Sequence, residues 1–160
     1  MAVAMFDLRL LVSFVLLSVC LLPTQAQAGK VQYCDKETKY AVNVSGVEIS
    51  PYPISRGRRT TFSISASTDE VIFGGKVQID VLYFGINVYS KIHDLCGKTS
   101  CPVAAGDFVI SHSQSLPFFT PPGSYTLQMK MEDESKHQLT CITFDFSIGF
   151  LASDEVIADS

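Results

Sequence analysis

Apolar and polar residues alternate with a period of two along much of this chain, most clearly in two segments. Residues 125–132 place Tyr125 and Met129 on one face, and residues 141–150 do the same with Phe144. Successive side chains of a β-strand point to opposite faces, so a strand that buries one side shows this period. Each segment therefore predicts a half-buried β-strand, and Phe146 falls on the apolar face of the second.

Four further segments alternate less completely, at residues 40–49, 61–68, 77–88 and 108–112. Gly46 stands where the apolar phase shifts in the first of them, which is typical of a β-bulge. Phe62 and Ile64 share the apolar phase of the second. In the third, the phase flips near Gly85, after which Phe84, Ile86 and Val88 form the apolar set.

Turn signals separate these segments at residues 51–53, 74–75, 96–102 and 121–123. Gly74-Gly75 predicts a hairpin turn, and the polar residues 132–137 predict a hairpin tip. No stretch of ten or more residues shows helical periodicity. Many short strands with regular punctuation favour an all-β fold, an antiparallel sandwich of seven or eight strands.

The N-terminal segment has the features of a secretory signal peptide at residues 1–28. Arg9 precedes an apolar stretch at residues 10–22, which is shorter than the about 20 residues that span a bilayer. Ala26-Gln27-Ala28 supplies the small-residue cleavage pattern. Cleavage after Ala28 predicts a single domain at residues 29–150 and a frayed acidic tail at residues 151–160. The expected location is the secretory pathway, ending outside the cell in the apoplast or in a vacuole or another endomembrane lumen.

Net charge and cysteine content argue against several classes of ligand and cofactor. The net charge of −4 argues against a nucleic-acid binder. The cysteines after the leader are even in number, which in an exported chain favours two disulfides over free thiols or zinc. These cysteines allow three pairings and are Cys34, Cys96, Cys101 and Cys141. Without a Cys-x-x-Cys pair or a His-x₃-His spacing, no metal or other cofactor is expected.

Catalytic patterns are weak. His93 and Asp94 are adjacent, which places their side chains on opposite faces of a strand. His112 lies between two serines, but the chain has no Gly-x-Ser-x-Gly elbow. We interpret these residues and His137 as surface or edge histidines with satisfied hydrogen bonds, and residues 132–134 as a solvated loop. The sequence therefore predicts a protein that is not an enzyme.

Two surface features remain open. Arg56-Gly57-Arg58-Arg59 is the one basic cluster, and it fits a solvated turn before a strand. Alternatively it meets anionic headgroups, where each basic residue contributes about 1 kcal/mol. Asn43-Val44-Ser45 is a glycosylation sequon whose asparagine lies on the polar phase, so a glycan at Asn43 would point outward.

The residues around the close cysteine pair carry a family resemblance. Asp94-Leu95-Cys96 is followed by Thr99-Ser100-Cys101-Pro102 and then by Thr120-Pro121-Pro122-Gly123. Further matching motifs occur in order at residues 46–51, 56–57, 75–77, 83–85, 106–108, 116–117, 124–127 and 139–142. Across residues 31–150 the chain resembles a plant member of the ML lipid-recognition domain family, which includes the Niemann–Pick type C2 sterol-transfer proteins.

The resemblance implies an immunoglobulin-like sandwich of two antiparallel sheets with an apolar cavity between them. It also implies the disulfides Cys34–Cys141 and Cys96–Cys101. The chain departs from the animal sterol carriers because residues 51–56 contain no cysteine for a further short bridge. Matching positions and inward phase give candidate lipid-binding residues, which are Phe62, Ile64, Phe84, Val88, Phe118, Phe119, Tyr125, Met129, Phe144 and Phe146.

The implied function is binding and transfer of one lipid, a sterol or a phospholipid, between membranes. The implied protein is a monomer that contacts a membrane surface transiently and meets a protein partner at the donor or acceptor membrane. The alternative is a secreted immunoglobulin-like interaction module with a filled core, since periodicity alone does not separate a filled core from a hollow one.

Overall fold

The computed structural model describes residues 27–149, which form two antiparallel sheets packed face to face. The predicted signal peptide, apart from its last two residues, and the predicted tail lie outside the described residues. The predicted cleavage point after Ala28 falls inside the first strand, Gln27–Gly29. The boundary between leader and domain stays a prediction.

Nine strands are present within the described residues, where seven or eight were predicted, and two of them are only two or three residues long. They are β1 (Gln27–Gly29), β2 (Gln32–Tyr33), β3 (Val42–Ser50), β4 (Arg59–Thr68), β5 (Gly75–Tyr83), β6 (Ile86–Asp94), β7 (Gly106–Ser115), β8 (Gly123–Asp133) and β9 (Gln138–Ile148). The first sheet has the order β1-β3-β4-β7, and the second has the order β2-β9-β8-β5-β6. The all-β sandwich prediction is confirmed.

The predicted bulge at Gly46 is present, since the β3–β4 register shifts between Val44 and Gly46. The phase flip near Gly85 has a different origin. Phe84 and Gly85 have φ values of 50° and 78° and form a two-residue turn between β5 and β6. Left-handed conformations at both central positions are typical of a type I′ hairpin, whose twist matches the flanking strands. Phe84 therefore lies in a turn, and β6 is a separate strand that the alternation did not reveal.

The hairpin predicted at Gly74-Gly75 is wrong. The chain there crosses from β4 of the first sheet to β5 of the second. Gly75 has φ 147°, and a Cβ at this position would lie 2.0 Å from the carbonyl oxygen of Glu132. Glycine is needed at the crossover because the backbone of β8 approaches so closely. The hairpin predicted at residues 132–137 does connect β8 to β9.

The core lies between the sheets. Alternate residues of β4 and β8 are buried, and so are those of β9 from Ile142 onward, which gives the predicted period of two. At the end of the sandwich where the chain crosses between the sheets, Ile72 and Val103 are buried and form an isolated backbone bridge. Leu95 is buried at the same end, in a 3₁₀ turn, Leu95–Gly97. Among the described residues, no helix has the length and apolar character to cross a membrane.

Both disulfides implied by the resemblance are present. Cys34 follows β2 and bonds Cys141 of β9, and both strands belong to the second sheet. Cys96 and Cys101 close a short loop inside the connection from β6 to β7. Neither disulfide joins one sheet to the other.

Candidate functional site

A chain of aromatic rings runs through the interior from one sheet to the other. The ring of Phe62 on β4 contacts those of Phe144 and Phe146 on β9, with centroids 6.3 and 5.7 Å apart. Tyr125 stacks on Phe146 at 5.5 Å and on Tyr83 at 4.6 Å. The interior is therefore apolar and aromatic on both inner faces, and Tyr83 carries the chain of rings to the end of β5.

The candidate lipid-binding residues divide into two groups. Six are buried between the sheets, as their inward phase predicts, and these are Phe62, Ile64, Tyr125, Met129, Phe144 and Phe146. The other four are exposed, namely Phe84, Val88, Phe118 and Phe119. Phe84 does not line a strand facing the interior, because it lies in the β5–β6 turn, and Val88 is 55% exposed on β6. Binding by these residues stays a prediction.

Three of the exposed phenylalanines mark one end of the sandwich, which we call the aromatic end. It comprises residues 51–58, the turn at residues 84–85 and residues 116–122. Register places all three segments at the same end, because β4 begins opposite the end of β7 and β8 begins opposite the end of β5. Phe84, Phe118 and Phe119 are 84%, 76% and 87% exposed.

Hydrogen bonds hold the loops of the aromatic end. The Gly57 amide donates to the Leu116 carbonyl at 2.7 Å, and the Thr120 hydroxyl donates to the Pro117 carbonyl at 2.7 Å. The hydroxyl of Tyr125 donates to the Pro121 carbonyl at 2.7 Å. The two exposed phenylalanines therefore sit at the tip of a fixed loop.

Gly57 is required for this arrangement. Its φ is 77°, and a Cβ there would lie 2.3 Å from the ring of Phe118. The ring thus lies directly against the glycine backbone. Arg58 and Arg59 are exposed beside it, and the basic cluster forms the turn before β4 that was predicted. Asn43 is exposed on β3, consistent with an outward glycan, whose attachment stays a prediction.

A second feature lies where the edge strands of the two sheets meet, and we call it the seam cluster: Lys91, His93, Lys98 and His112. The rings of His93 on β6 and His112 on β7 have centroids 4.9 Å apart. The Nζ of Lys98 lies 2.9 Å from Nδ1 of His112. His93 and His112 do lie on edge strands, as predicted, but His112 is buried rather than on the surface.

Burial and nearby cations lower the pKa values in the seam cluster. Burial lowers the pKa of His112 to about 4, and Lys98, His93 and Lys91 act in the same direction. Burial, then Lys98 and Lys91, lowers the pKa of His93. Burial and then Lys91 lower the pKa of Lys98. His112 is therefore neutral near pH 7, and the Lys98 ammonium donates to its Nδ1.

An open depression of about 650 Å³ lies beside the seam cluster. Its wall includes Lys98, the Cys96 side of the short disulfide loop, and the apolar side chains of Val103, Phe108 and Val109. Within residues 27–149, no group of three His, Cys, Asp or Glu side chains is placed to hold a metal ion.

Comparison with known proteins decides the family. The family model described as the ML domain matches residues 28–148. This chain belongs to the ML domain family. An MD-2-related lipid-recognition protein of Arabidopsis thaliana is 35% identical over 138 residues, covering 81% of this chain and 84% of that protein. A phosphatidylglycerol/phosphatidylinositol transfer protein of Aspergillus oryzae is 29% identical over 132 residues and covers 75% of each chain.

A solved structure shows the same fold. The Niemann-Pick type C2 protein from the Japanese carpenter ant matches with a TM-score of 0.61 at 15% identity. The match covers 75% of this chain and 99% of that chain. The family resemblance and the sandwich of two antiparallel sheets that it implied are both confirmed.

The site residues predicted from the sequence of this ML domain lie in the interior, on β6 and at the aromatic end, and none of them belongs to the seam cluster. A signal for His112 existed, because Phe108, Ile110 and His112 share one phase of the same strand. A histidine that continues an apolar phase points toward the core. Lys98 gave no such signal, since it lies in a loop whose path depends on the whole fold.

Proposed function

We propose that this protein binds one lipid, a sterol or a phospholipid, between its two sheets and carries it from one membrane to another. The observation that carries the proposal is the apolar interior formed by two sheets that no disulfide joins. Burying a lipid's apolar surface contributes about 25 cal/mol per Å². The relatives described above are a lipid-recognition protein and a phospholipid-transfer protein, which supports the same function.

Binding requires the sheets to move apart. The side chains that line the interior are buried against one another, so a lipid must take the place of contacts between the layers. Apolar contacts of this kind are exchangeable, since the lipid restores the burial that separation removes. Met129 and Met131 are suited to such a wall because methionine adapts its shape to irregular neighbours. The cycle consists of opening, uptake and release, and it includes no covalent step.

The aromatic end is the proposed point of membrane contact. Its three exposed phenylalanines stand beside Arg58 and Arg59. Aromatic rings enter the interfacial zone of a bilayer, and basic side chains near them are attracted to anionic headgroups. The ring chain from Tyr83 to Phe62 continues inward from this end, which gives a lipid an apolar path. The two disulfides fit a protein that works in the secretory pathway or outside the cell.

The decisive experiment is lipid recovery. The protein, purified with its disulfides formed, is extracted with organic solvent and its lipids are identified by mass spectrometry. Uptake of fluorescent sterol and phospholipid from vesicles is measured in parallel. One lipid per chain, together with uptake, supports the carrier. Recovery of no lipid together with no uptake leaves the interaction module with a filled core as the better account. A lipid hydrolysis assay on the same sample would expose any esterase activity.

A matched pair of variants tests the aromatic end. Phe118→Asp places a charge at the proposed membrane contact, so transfer between vesicles is expected to fall about tenfold. Phe73→Asp is the control, since Phe73 is 73% exposed in the β4–β5 connection at the opposite end. Equal transfer by both variants would remove the aromatic end from the proposal. Thermal unfolding of each variant establishes that the fold is intact.

A further inference from the structure

The register of the edge strands turns the seam cluster toward the interior. Residues directly opposite each other in a sheet have side chains on the same face. Lys91 and His93 of β6 pair with Ile79 and Val77 of β5, which are buried. Similarly, His112 of β7 pairs with buried Phe62 of β4. His93, His112 and the exposed Lys91 therefore lie on the inward phase of the two edge strands that meet at the seam, and Lys98 reaches the seam from the short disulfide loop.

The seam cluster offers several hydrogen-bond donors, and no carboxylate of the described residues forms an ion pair with its lysines. Ion pairs join Lys130 to Glu132 and His137 to Asp133, whereas no ion pair within residues 27–149 includes Lys91 or Lys98. The charged groups that perturb the cluster are its own members. Asp107 is the one acidic residue in the wall of the neighbouring depression, and it pairs with Ser67, on the strand phase opposite to that of His112.

Unused donors remain at the seam. Lys98 donates one N–H to Nδ1 of His112, and its ammonium group has two further N–H donors. The Nε2 of His93 is buried and has no hydrogen-bond partner among the described residues. A buried polar atom without a partner destabilises the fold, and so does the partly desolvated ammonium of Lys98 without a counter-charge. An anion at this point would satisfy the donors and the charge together.

We propose that the seam cluster binds the phosphate group of an anionic phospholipid whose acyl chains enter the space between the sheets. Phosphate oxygens accept several charge-assisted hydrogen bonds, and lysine meets them as a point charge. Lys98 and Lys91 supply the positive charge, and Nε2 of His93 supplies a further donor. His112 acts as a positioning residue that holds the Lys98 ammonium. The inference deepens the proposed function, on which it rests, by naming a headgroup class and its place.

The apolar surroundings favour a lipid over a free anion. His112 lies in register with Phe62, the first ring of the interior aromatic chain. Phe108, four residues before His112 and on the same face of β7, lines the open depression. A phosphate at the seam would therefore be attached to a body that covers apolar walls on either side. Free phosphate has no such body and is expected to bind much more weakly.

The test measures uptake of phosphatidylglycerol and phosphatidylcholine that carry identical fluorescent acyl chains, presented in vesicles. Lys98→Gln and Lys91→Gln remove one charge each with little change in shape. Either variant is expected to weaken phosphatidylglycerol binding about tenfold while phosphatidylcholine and sterol change less than twofold, since one charge-assisted hydrogen bond is lost. Lys76→Gln is the matched control, because Lys76 is exposed on β5 and pairs with Asp94.

Each outcome bears on the inference. Equal losses for both phospholipids would assign the lysines to packing and overturn it, as would unchanged phosphatidylglycerol binding in the two lysine variants. In either case wild-type uptake of phosphatidylcholine or sterol would leave the carrier standing. Inorganic phosphate is tested alone by ³¹P line broadening. Binding as tight as that of phosphatidylglycerol would make the seam a site for the free anion and overturn the lipid assignment. A wild-type protein that takes up no lipid overturns the proposed function itself.

Discussion

Acidification is expected to destabilise this protein through His112. The imidazole of His112 contacts the Lys98 ammonium and the ring of His93, and the charge of Lys91 acts on it from β6. On its other side it is in register with buried Phe62 of β4. A proton on His112 would place a second cation beside the Lys98 ammonium in a buried position. The folded protein resists that proton, whereas the unfolded chain accepts it.

The magnitude follows from the pKa of His112, which falls from 6.5 to about 4 on folding. Between these values the unfolded state binds more protons than the folded state, so stability decreases as pH falls. Protonation of His112 therefore leaves the free energy of unfolding unchanged above about pH 6.5 and lowers it progressively as pH falls toward 4. At about 1.4 kcal/mol for each tenfold change in proton affinity, the loss between about pH 7 and about pH 4.5 is about 2 to 2.5 kcal/mol.

The assay is urea unfolding of the wild type and His112→Gln at about pH 7 and about pH 4.5. Glutamine keeps an acceptor for Lys98 and does not titrate. The variant is expected to be less stable near pH 7 but to lose about 2 kcal/mol less on acidification. The lowered pKa values of Asp35 and Asp133, held by hydrogen bonds from Thr38 and His137, also favour the folded state above pH 4. Both proteins share those groups, so the difference isolates His112.

A wild type and a His112→Gln variant that lose the same stability on acidification would refute the reasoning. The buried imidazole would then carry no part of the acid response.

Two further substitutions test the aromatic end and the interior. Gly57→Ala must accommodate a Cβ 2.3 Å from the ring of Phe118 at a positive φ, so a loss of about 1–3 kcal/mol is expected in urea unfolding. Gly46→Ala is its control, since nothing lies within 4 Å of a Cβ there; similar losses for both would remove the special role of Gly57. Phe144→Ala removes a fully buried ring and is expected to lower the free energy of unfolding by about 3–5 kcal/mol. If added lipid restores part of that stability, the lipid fills the cavity that the substitution leaves.

Much of the fold was predictable because period-two alternation reports burial of one face. The strands around Phe62, Tyr125 and Phe144 each bury one face and were found. β6 was missed because, apart from Tyr89 and His93, its residues are exposed on both faces, so no alternation develops. The crossover at Gly75 was mistaken for a hairpin because local sequence does not state to which sheet the next strand belongs.

The candidate site was predictable to the same extent. Inward phase identified the six buried lipid-binding candidates, and a family motif placed Phe118 and Phe119 at one end. The seam cluster joins residues from two edge strands and a loop, with Lys98 and His112 fourteen residues apart. Their proximity depends on two sheets meeting edge to edge, and no local pattern encodes that encounter.

The position of the two disulfides has a mechanical consequence. The Cys34–Cys141 bridge carries load when β2 is pulled from β9, and the Cys96–Cys101 bridge carries load when its loop is stretched. When one layer is drawn away from the other, the Cys34–Cys141 bridge bears no tension, because both of its strands lie in the second sheet. The Cys96–Cys101 bridge lies inside the β6–β7 connection, which crosses between the layers, and it shortens the length of chain that can extend there. The long bridge therefore stiffens the second layer alone, and the spacing between layers is set by side-chain contacts and the crossing connections, against which a guest molecule works.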